Sequence, residues 1–486
     1  MNILFVYSIY DLKSSAKPLR TAEEMQFGIS YISSLLKEQG HSTKLVILSR
    51  MLGRTNKRII NKAIQNFSPQ VICFTAVSSE YRFIADMAGY VKANHPQIYL
   101  LAGGTHTSLK PEEVIVDSFD GLCRGEGEYA TLELVKQIER GILPSNISNL
   151  WIKHKDKIEK NPLRPFLNEL DSLPFPDRKM WEEWIEADED ISHSVLLGRG
   201  CPFECTYCCN HALKRIASGN YVRFRSTDNI LAEIRQLTSQ YPKKKYIYLE
   251  VETIGADKQW ALELCSRLQD FNATLRKPLS FGINLRLTPN LDYEELFAAF
   301  RKSNFKDINI GLESGSERIR REIFRRNYSN ENIINAVQLA RKYDLQINFY
   351  NLIGVPGETI DDFKETVKIN RICLPDKTYT HIFFPYPGTE LYSLCKEQGL
   401  LKKTIDTKLE RCKAILDLPG FSRRQIQKAF ILFDYYVYRG YRPMRKILTK
   451  VFVAGFRSNF CLHYLYRKLT QWTFLRRLRY SLLSEN

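Results

Sequence analysis

No run of about 18 consecutive apolar residues occurs in the 486-residue chain, which excludes a membrane-spanning helix. No leader pattern opens it either. Met1-Asn2-Ile3-Leu4-Phe5-Val6-Tyr7 reads as a β-strand and not as a signal peptide. A disulfide framework is disfavoured. The 11 cysteines are odd in number, and Cys73, Cys123, Cys265, Cys373, Cys395, Cys412 and Cys461 are scattered. Scattered thiols without an export signal point to a reducing cytosol, and the expected location is cytoplasmic. Acidic residues are scarce in one place only. From Phe421 to Asn486 there are 14 Lys and Arg against Asp434 and Glu485, so +12 of the net charge of +17 belongs to the tail.

Four cysteines stand close together, in Gly198-Arg199-Gly200-Cys201-Pro202-Phe203-Glu204-Cys205-Thr206-Tyr207-Cys208-Cys209-Asn210. The spacing C-x3-C-x2-C places three thiolates on one face of a soft metal centre. Three ligands leave a cubane iron–sulfur cluster with one open iron, which is a catalytic arrangement. Zinc is the other reading. It asks for a second C-x2-C knuckle, which is missing, or for His211 as fourth ligand. The triad, with Tyr207 as the aromatic before its last cysteine, resembles that of the radical S-adenosylmethionine (SAM) enzymes. The resemblance implies a 4Fe–4S cluster on Cys201, Cys205 and Cys208, with SAM chelating the open iron and being cleaved to a 5′-deoxyadenosyl radical. Cys209 is surplus to the pattern, either a bystander or a hydrogen donor.

Residues 1–140 alternate strand and helix patterns. Strands are expected at Ile3–Tyr7, Thr43–Leu48, Val71–Thr75, Ile98–Ala102 and Gly121–Cys123, with helices such as Gly28–Gln39 and Tyr81–Ala93 between them. This period implies βαβ units and a doubly wound parallel sheet, with ligands over the carboxyl ends of the strands. Just past those ends lie Thr75-Ala76-Val77-Ser78-Ser79, Gly103-Gly104-Thr105-His106 and Gly125-Glu126-Gly127-Glu128. Glycines there let a large flat ligand approach the backbone. The stretch Gly103–His106 with Pro111-Glu112-Glu113, and the run Arg124–Glu128, are similar to those of the cobalamin-binding domain that precedes some radical SAM barrels. That resemblance implies cobalamin contacts from Thr75, Ser78, Ser79, Gly103, Gly104, His106, Gly125 and Glu126. None of the 8 histidines sits in D-x-H-x-x-G. No histidine is therefore expected beneath cobalt, and His106 is expected in a loop. A degenerate, cofactor-free domain is the alternative.

Residues 141–190 read as a hairpin (149–154 and 157–160) and a proline-broken linker laid along the surface, with Pro162, Pro165, Pro174 and Pro176. From 191 to 400 the alternation resumes. Strands are expected at Val195–Gly198, Tyr246–Leu249, Ser280–Asn284, Asp307–Gly311, Gln346–Leu352 and His381–Pro385. The expected fold class is thus α/β: a Rossmann-like cobalamin-type domain, a partial (β/α)6 radical SAM barrel and a helical basic C-terminal region, residues 401–486. The cysteine loop follows the first barrel strand, on the carboxyl face where barrel chemistry sits.

Later strand ends carry groups that the resemblance assigns to SAM. Glu252, in preference to Glu250, receives its amino group. Asn284 bonds the ribose, and Arg286 pairs with the carboxylate or makes a structural ion pair. Glu313 and Ser314 lie in a stretch similar to the family's G-x-E-S-G-S, and Gly354 and Pro356 in one similar to G-x-P-G-E-T. Tyr386 faces substrate or packs.

The tail interleaves basic residues with 15 aromatics. It fits helices packed on the barrel, an amphipathic surface at the inner face of a membrane, or, least well, an RNA grip. Nucleic acid is also disfavoured because only Cys73 and Cys123 precede the triad, too few for the extra cluster of RNA methylthiotransferases. The resemblance implies a cobalamin-dependent radical SAM methyltransferase acting on an unactivated carbon of a small-molecule or lipid substrate. A flavodoxin or ferredoxin would serve as electron donor. Radical cyclisation or rearrangement, and a non-catalytic accessory role, are the alternatives.

Overall fold

The computed structural model describes residues 1–459 and 462, except 11, 15, 16, 186–192, 244, 290, 403, 404, 406 and 408. The first sheet contains β1 (Asn2–Ser8), β2 (Ser42–Leu48), β3 (Val71–Thr75), β4 (Tyr99–Gly103), β5 (Gly121–Cys123), β6 (Leu150–Lys153) and β7 (Ile158–Lys160), in the order β2-β1-β3-β4-β5-β6-β7. Strands β1 to β5 pair in parallel. Helices cover both faces, so the middle of β1, Ile3 to Val6, is continuously apolar. Ile3 and Phe5 pack with Leu36 of helix Phe27–Glu38 and Val135 of helix Glu128–Glu139. Leu4 and Val6 pack with Ile60 and Ile84 on the other side. The crevice opens where the crossovers diverge, between β1 and β3.

The expected hairpin forms, but as an extension of this sheet. β6 pairs antiparallel with β5 and then with β7. The connector corrects the expectation of a surface linker: Trp181 is buried and its indole N–H donates to Ser30 Oγ at 2.8 Å. Asp177 accepts from Ser33 Oγ and Lys37 Nζ, both at 2.6 Å. Its last residues, 186–190, lie outside the described residues.

The second sheet contains β8 (His193–Leu196), β11 (Tyr246–Glu250), β12 (Ser280–Leu285), β13 (Phe305–Glu313), β14 (Gln346–Ile353) and β15 (Lys377–Ile382), all parallel, with β8 and β15 as edges. Between β8 and β11 a small antiparallel ribbon joins β9 (Gly198–Arg199) to β10 (Arg223–Phe224). Alternate residues such as Leu249, Ile283, Ile310 and Phe349 face an outer helical layer and form the main core. Ser226, Asp257, Asp292, Ser329 and Thr359 cap five of the following helices with their side chains. The last strand starts four residues before its expected position and stops before Pro385. It is an edge strand, so Lys377 and Tyr379 are exposed and the apolar signal comes late.

Helix Arg423–Tyr438 buries Ile426, Phe430, Phe433 and Val437 against this unit. Helix Met444–Arg457 packs on that helix and buries only Ile447. The packed-helix expectation therefore describes 423–457. The aromatic and basic stretches Tyr464–Lys468 and Trp472–Arg477 lie outside the described residues. Among the described residues no helix is long and apolar enough to cross a membrane.

Candidate active site

The cysteine loop leaves the second sheet through β9. Gly200 has φ +85°, and a Cβ there would meet Tyr221 O at 2.0 Å, so only glycine lets the loop pass beneath the following segment. Cys205 is buried, whereas Cys201, Cys208 and Cys209 are half-buried. The Cys208 N–H donates to Cys205 O at 3.0 Å, curling the loop. Burial raises the Cys201 thiol to about 11. A side-chain hydrogen bond from Cys209 lowers Cys208 to about 7 and raises Cys209 itself. The surplus cysteine is thus a neighbour that favours thiolate at Cys208.

Arginines surround this loop. Arg286 Nη1 donates to Cys205 Sγ at 2.7 Å, and its guanidinium lies 3.6 Å from the centre of the Phe203 ring. Tyr207 OH accepts from Arg326 Nη2 at 2.5 Å, and the same nitrogen lies 3.1 Å from Glu313 Oε1. Arg326 had no sequence signal, because Tyr207 lies 119 positions away in the chain. A single-ion site is not formed: among the described residues no three His, Cys, Asp or Glu side chains converge on one metal ion. His211 is buried with Nδ1 3.2 Å from Cys205 O. A zinc site with His211 as fourth ligand is therefore not supported. A cubane spreads its thiolates more widely, and three thiols beside a guanidinium suit an anionic cluster with an open iron.

A cavity of about 700 Å³ lies beside the loop, lined from both sheets. Thr75, Gly103, Gly104, Gly125 and Glu126 contribute from the first sheet, and Glu250, Glu252 and Asn284 from the second. Its volume is that of a cofactor or ligand pocket. Gly104 has φ +100°, and a Cβ there would lie 2.8 Å from Ala76 O. At Gly28, also in the lining, a Cβ would meet nothing within 4 Å, so there the lining is bare backbone facing space. That is the surface a large flat ring such as a corrin needs. The cysteine side is adjacent: Tyr221, also in the lining, donates to Asn210 Oδ1 at 2.6 Å, and Asn210 Nδ2 lies 3.6 Å from Cys208 Sγ.

Other expected residues lie elsewhere. His106 is in helix Thr105–Leu109, not a loop, and is buried, with Nδ1 3.1 Å from Ser78 Oγ and its ring centre 4.2 Å from that of Tyr81. Burial and then Lys110 hold its pKa down to about 4. Ser79 is buried as well, and neither residue lines the cavity. Ser314 is fully buried, its Oγ 3.2 Å from both Thr366 Oγ1 and Ser316 N. The Gly354 and Val355 N–H groups in the Pro356 turn both donate to buried Glu358. Those amides are spent on the protein itself. Tyr386 OH bonds Glu410 and accepts from Arg411 Nε at 2.7 Å.

Glu126 is more than a cavity wall. Arg199 Nη1 donates to its Oε1 at 2.9 Å and Arg223 Nη1 at 3.0 Å, while Arg199 also pairs with Glu128 at 2.5 Å. These four residues join the ribbon of the second unit to the β5 loop of the first.

Family models agree with this division. The radical SAM superfamily model matches residues 195–369, and the B12 binding domain model matches residues 21–135. The chain is 26% identical over 426 residues to "Uncharacterized methyltransferase PH0819" of Pyrococcus horikoshii, covering 87% of this chain and 89% of that one. It is 24% identical over 375 residues to anaerobic magnesium-protoporphyrin IX monomethyl ester cyclase of Rubrivivax gelatinosus, covering 75% and 65%. Among solved structures, the radical SAM methyltransferase TsrM from Kitasatospora setae, with cobalamin and a 4Fe–4S cluster bound, superposes with a TM-score of 0.63 at 15% identity, over 83% of this chain and 76% of that one.

Proposed function

The chain belongs to the radical SAM enzymes that carry an N-terminal B12-binding domain, and on that premise we propose that it transfers a methyl group to an unactivated carbon of a small organic substrate. Its cofactors are a 4Fe–4S cluster, SAM and cobalamin. Membership sets aside the non-catalytic reading. The observation that carries the proposal is the single cavity shared by Gly103 and Gly104 of the first sheet and Glu250, Glu252 and Asn284 of the second. A corrin on the first wall would face the cysteine loop across the space where a substrate fits.

When bound, the cluster and SAM supply a carbon-centred radical and cobalamin a methyl carrier; the protein supplies position and exclusion of water. Cys201, Cys205 and Cys208 would hold three irons. Glu252, at the carboxyl end of β11 and electrostatically close to the cysteines, is suited to the SAM ammonium group. Glu313 is engaged by Arg326, which also donates to Tyr207 and so anchors the loop from within. The Glu126–Arg199–Arg223 bridge sets the separation of the two walls. A flavodoxin- or ferredoxin-type donor would deliver the electron.

Anaerobically reconstituted protein, loaded with cobalamin and incubated with methyl-labelled SAM, tests the reading. Label is expected in the protein-bound corrinoid fraction. Formation of 5′-deoxyadenosine with no label in that fraction would instead favour radical cyclisation, the reading supported by the named activity of the Rubrivivax relative. A peripheral membrane contact has one supporting observation: Met444, Leu448 and Phe452 are exposed at helical spacing on helix Met444–Arg457, with exposed Tyr441 just before it.

A further inference from the structure

The inner face of the second sheet is not filled by branched aliphatic side chains. Strand register places Asn284, Asn309 and Asn348 in one row across β12 to β14, and Glu250 follows the last paired residue of β11, Leu249, as Asn284 follows its partner Ile283. The row is wired in one direction. Asn348 Nδ2 donates to Asn309 Oδ1 at 3.0 Å, and Asn309 Nδ2 to Tyr248 Oη at 2.7 Å. The Tyr248 hydroxyl donates to Asn284 Oδ1 at 2.5 Å, and Asn284 Nδ2 to Val251 O at 3.3 Å.

Acceptors are left over at both ends. Asn348, 2% exposed, has an Oδ1 with no donor. Glu250 has no cation or donor set against it among the described residues. Burial, then Glu23 and Glu252, raise its carboxyl to about 7. One level nearer the carboxyl ends, Tyr350 and Tyr379 stack at 4.9 Å and 25°, and His381 continues the stack at 6.3 Å from Tyr350. Tyr379 is 38% exposed, so the stack has an open end. The cations sit on the far side, where Arg411 and Arg457 bear on His381.

Of these residues Glu250 and Asn284 line the cavity, whereas Tyr350 and Tyr379 lie beyond its lining, deeper along the same sheet on β14 and β15. We propose that the substrate is a planar ring compound bearing a basic nitrogen that reaches past the cavity wall, with the nitrogen donating to Glu250 and the ring lying against Tyr350 and Tyr379. The inference rests on the reaction proposed above. An acceptor-rich floor takes a donor-rich ligand, because each unmatched acceptor is costly when water leaves. Stacked phenols favour a flat cationic ring by dispersion and cation–π attraction. An aliphatic lipid chain satisfies neither feature.

Three probes separate these contributions by saturation-transfer NMR and equilibrium dialysis on the reconstituted, cobalamin-loaded full chain. 4-Aminoquinoline is flat and cationic, quinoline-4-carboxylate is flat and anionic, and octylamine is cationic without a ring. 4-Aminoquinoline is expected to bind at least tenfold more tightly than either of the others. Glu250→Gln should remove that preference over the carboxylate, and Tyr379→Leu should remove it over octylamine. Equal or tighter binding of the carboxylate or of octylamine, no binding of 4-aminoquinoline, or indifference to both substitutions overturns the proposal. Cluster absorbance and corrinoid retention, recorded on the same samples, show both variants to be folded. Transfer of SAM label to corrinoid in the wild type reads the underlying reaction separately, so either idea can fail alone.

Discussion

Replacing Glu126 by Gln tests how the two units are held around the cavity. The Glu126 carboxylate accepts from Arg199, from Arg223 and, through Oε2, from the Leu167 N–H at 2.7 Å. Glutamine keeps one acceptor oxygen and turns an NH2 group toward a donor. Arg223, whose side chain is 5% exposed, then loses its counter-ion, while Arg199 keeps Glu128. Removing one partner of a buried pair costs about 3–5 kcal/mol. Glu126 is 20% exposed and Arg199 keeps a partner, so the lower end, about 3 kcal/mol, applies here. Urea denaturation followed by tryptophan fluorescence reads the loss, and hydroxocobalamin titration reads the cavity. Arg223→Met alone should cost less, because the carboxylate keeps Arg199 and the Leu167 N–H. The double variant should lose less than the sum of the two by at least about 1 kcal/mol. Strict additivity, or a Glu126→Gln loss below about 0.5 kcal/mol with unchanged corrinoid affinity, would refute the argument that this bridge closes the cavity.

Arg286→Met removes the donor to Cys205 Sγ; the variant should still assemble a cluster, with a midpoint potential lower by tens of millivolts in an EPR-monitored redox titration. Unchanged potential would leave Arg286 to SAM alone. Burial raises the Glu358 carboxyl to about 8, so the native state holds a proton there that the unfolded chain releases near 4.5. Stability from this group is greatest below about pH 4.5 and falls as pH rises through 8, by at most about 5 kcal/mol; Glu358→Gln should flatten the fall in Tm between pH 5 and 9. Cys205→Ala should lose the cluster absorbance near 400 nm, by roughly the order of the whole signal, on anaerobic reconstitution, and iron and sulfide assays check it. Leu448→Ser with Phe452→Ser should reduce flotation of the full chain with anionic liposomes, and equal flotation would end the membrane reading.

Local pattern carried much of the fold. Helix Asn330–Lys342 is where the strand–helix alternation places it, and Ser329 caps it. The strands of both parallel sheets lie close to expectation, because strands covered on both faces read as continuous apolar runs. Pairing decided what pattern did not. The hairpin was visible in 149–160, but nothing in it specified that Leu150–Lys153 would add to Gly121–Cys123. The connector's prolines suggested an exposed linker. Its placement depends on Trp181 reaching Ser30, 151 positions away in sequence.

The same division runs through the site. Triad spacing is local, and so are the strand ends that put Thr75, Gly103, Gly104 and Gly125 on the cavity. Residue type one turn further on says little, since Ser79, His106 and Ser314 have suitable polar groups but are buried and do not line the cavity. Arginine was the residue most undervalued. Arg199, Arg223 and Arg326 have no motif, and each finds its partner across a unit boundary or across the barrel. A buried guanidinium must be paired, so its position is set only after both units have folded. The triad spacing and the strand ends are thus legible locally, whereas the distance between the two sides of the cavity is set by charges that meet only in three dimensions.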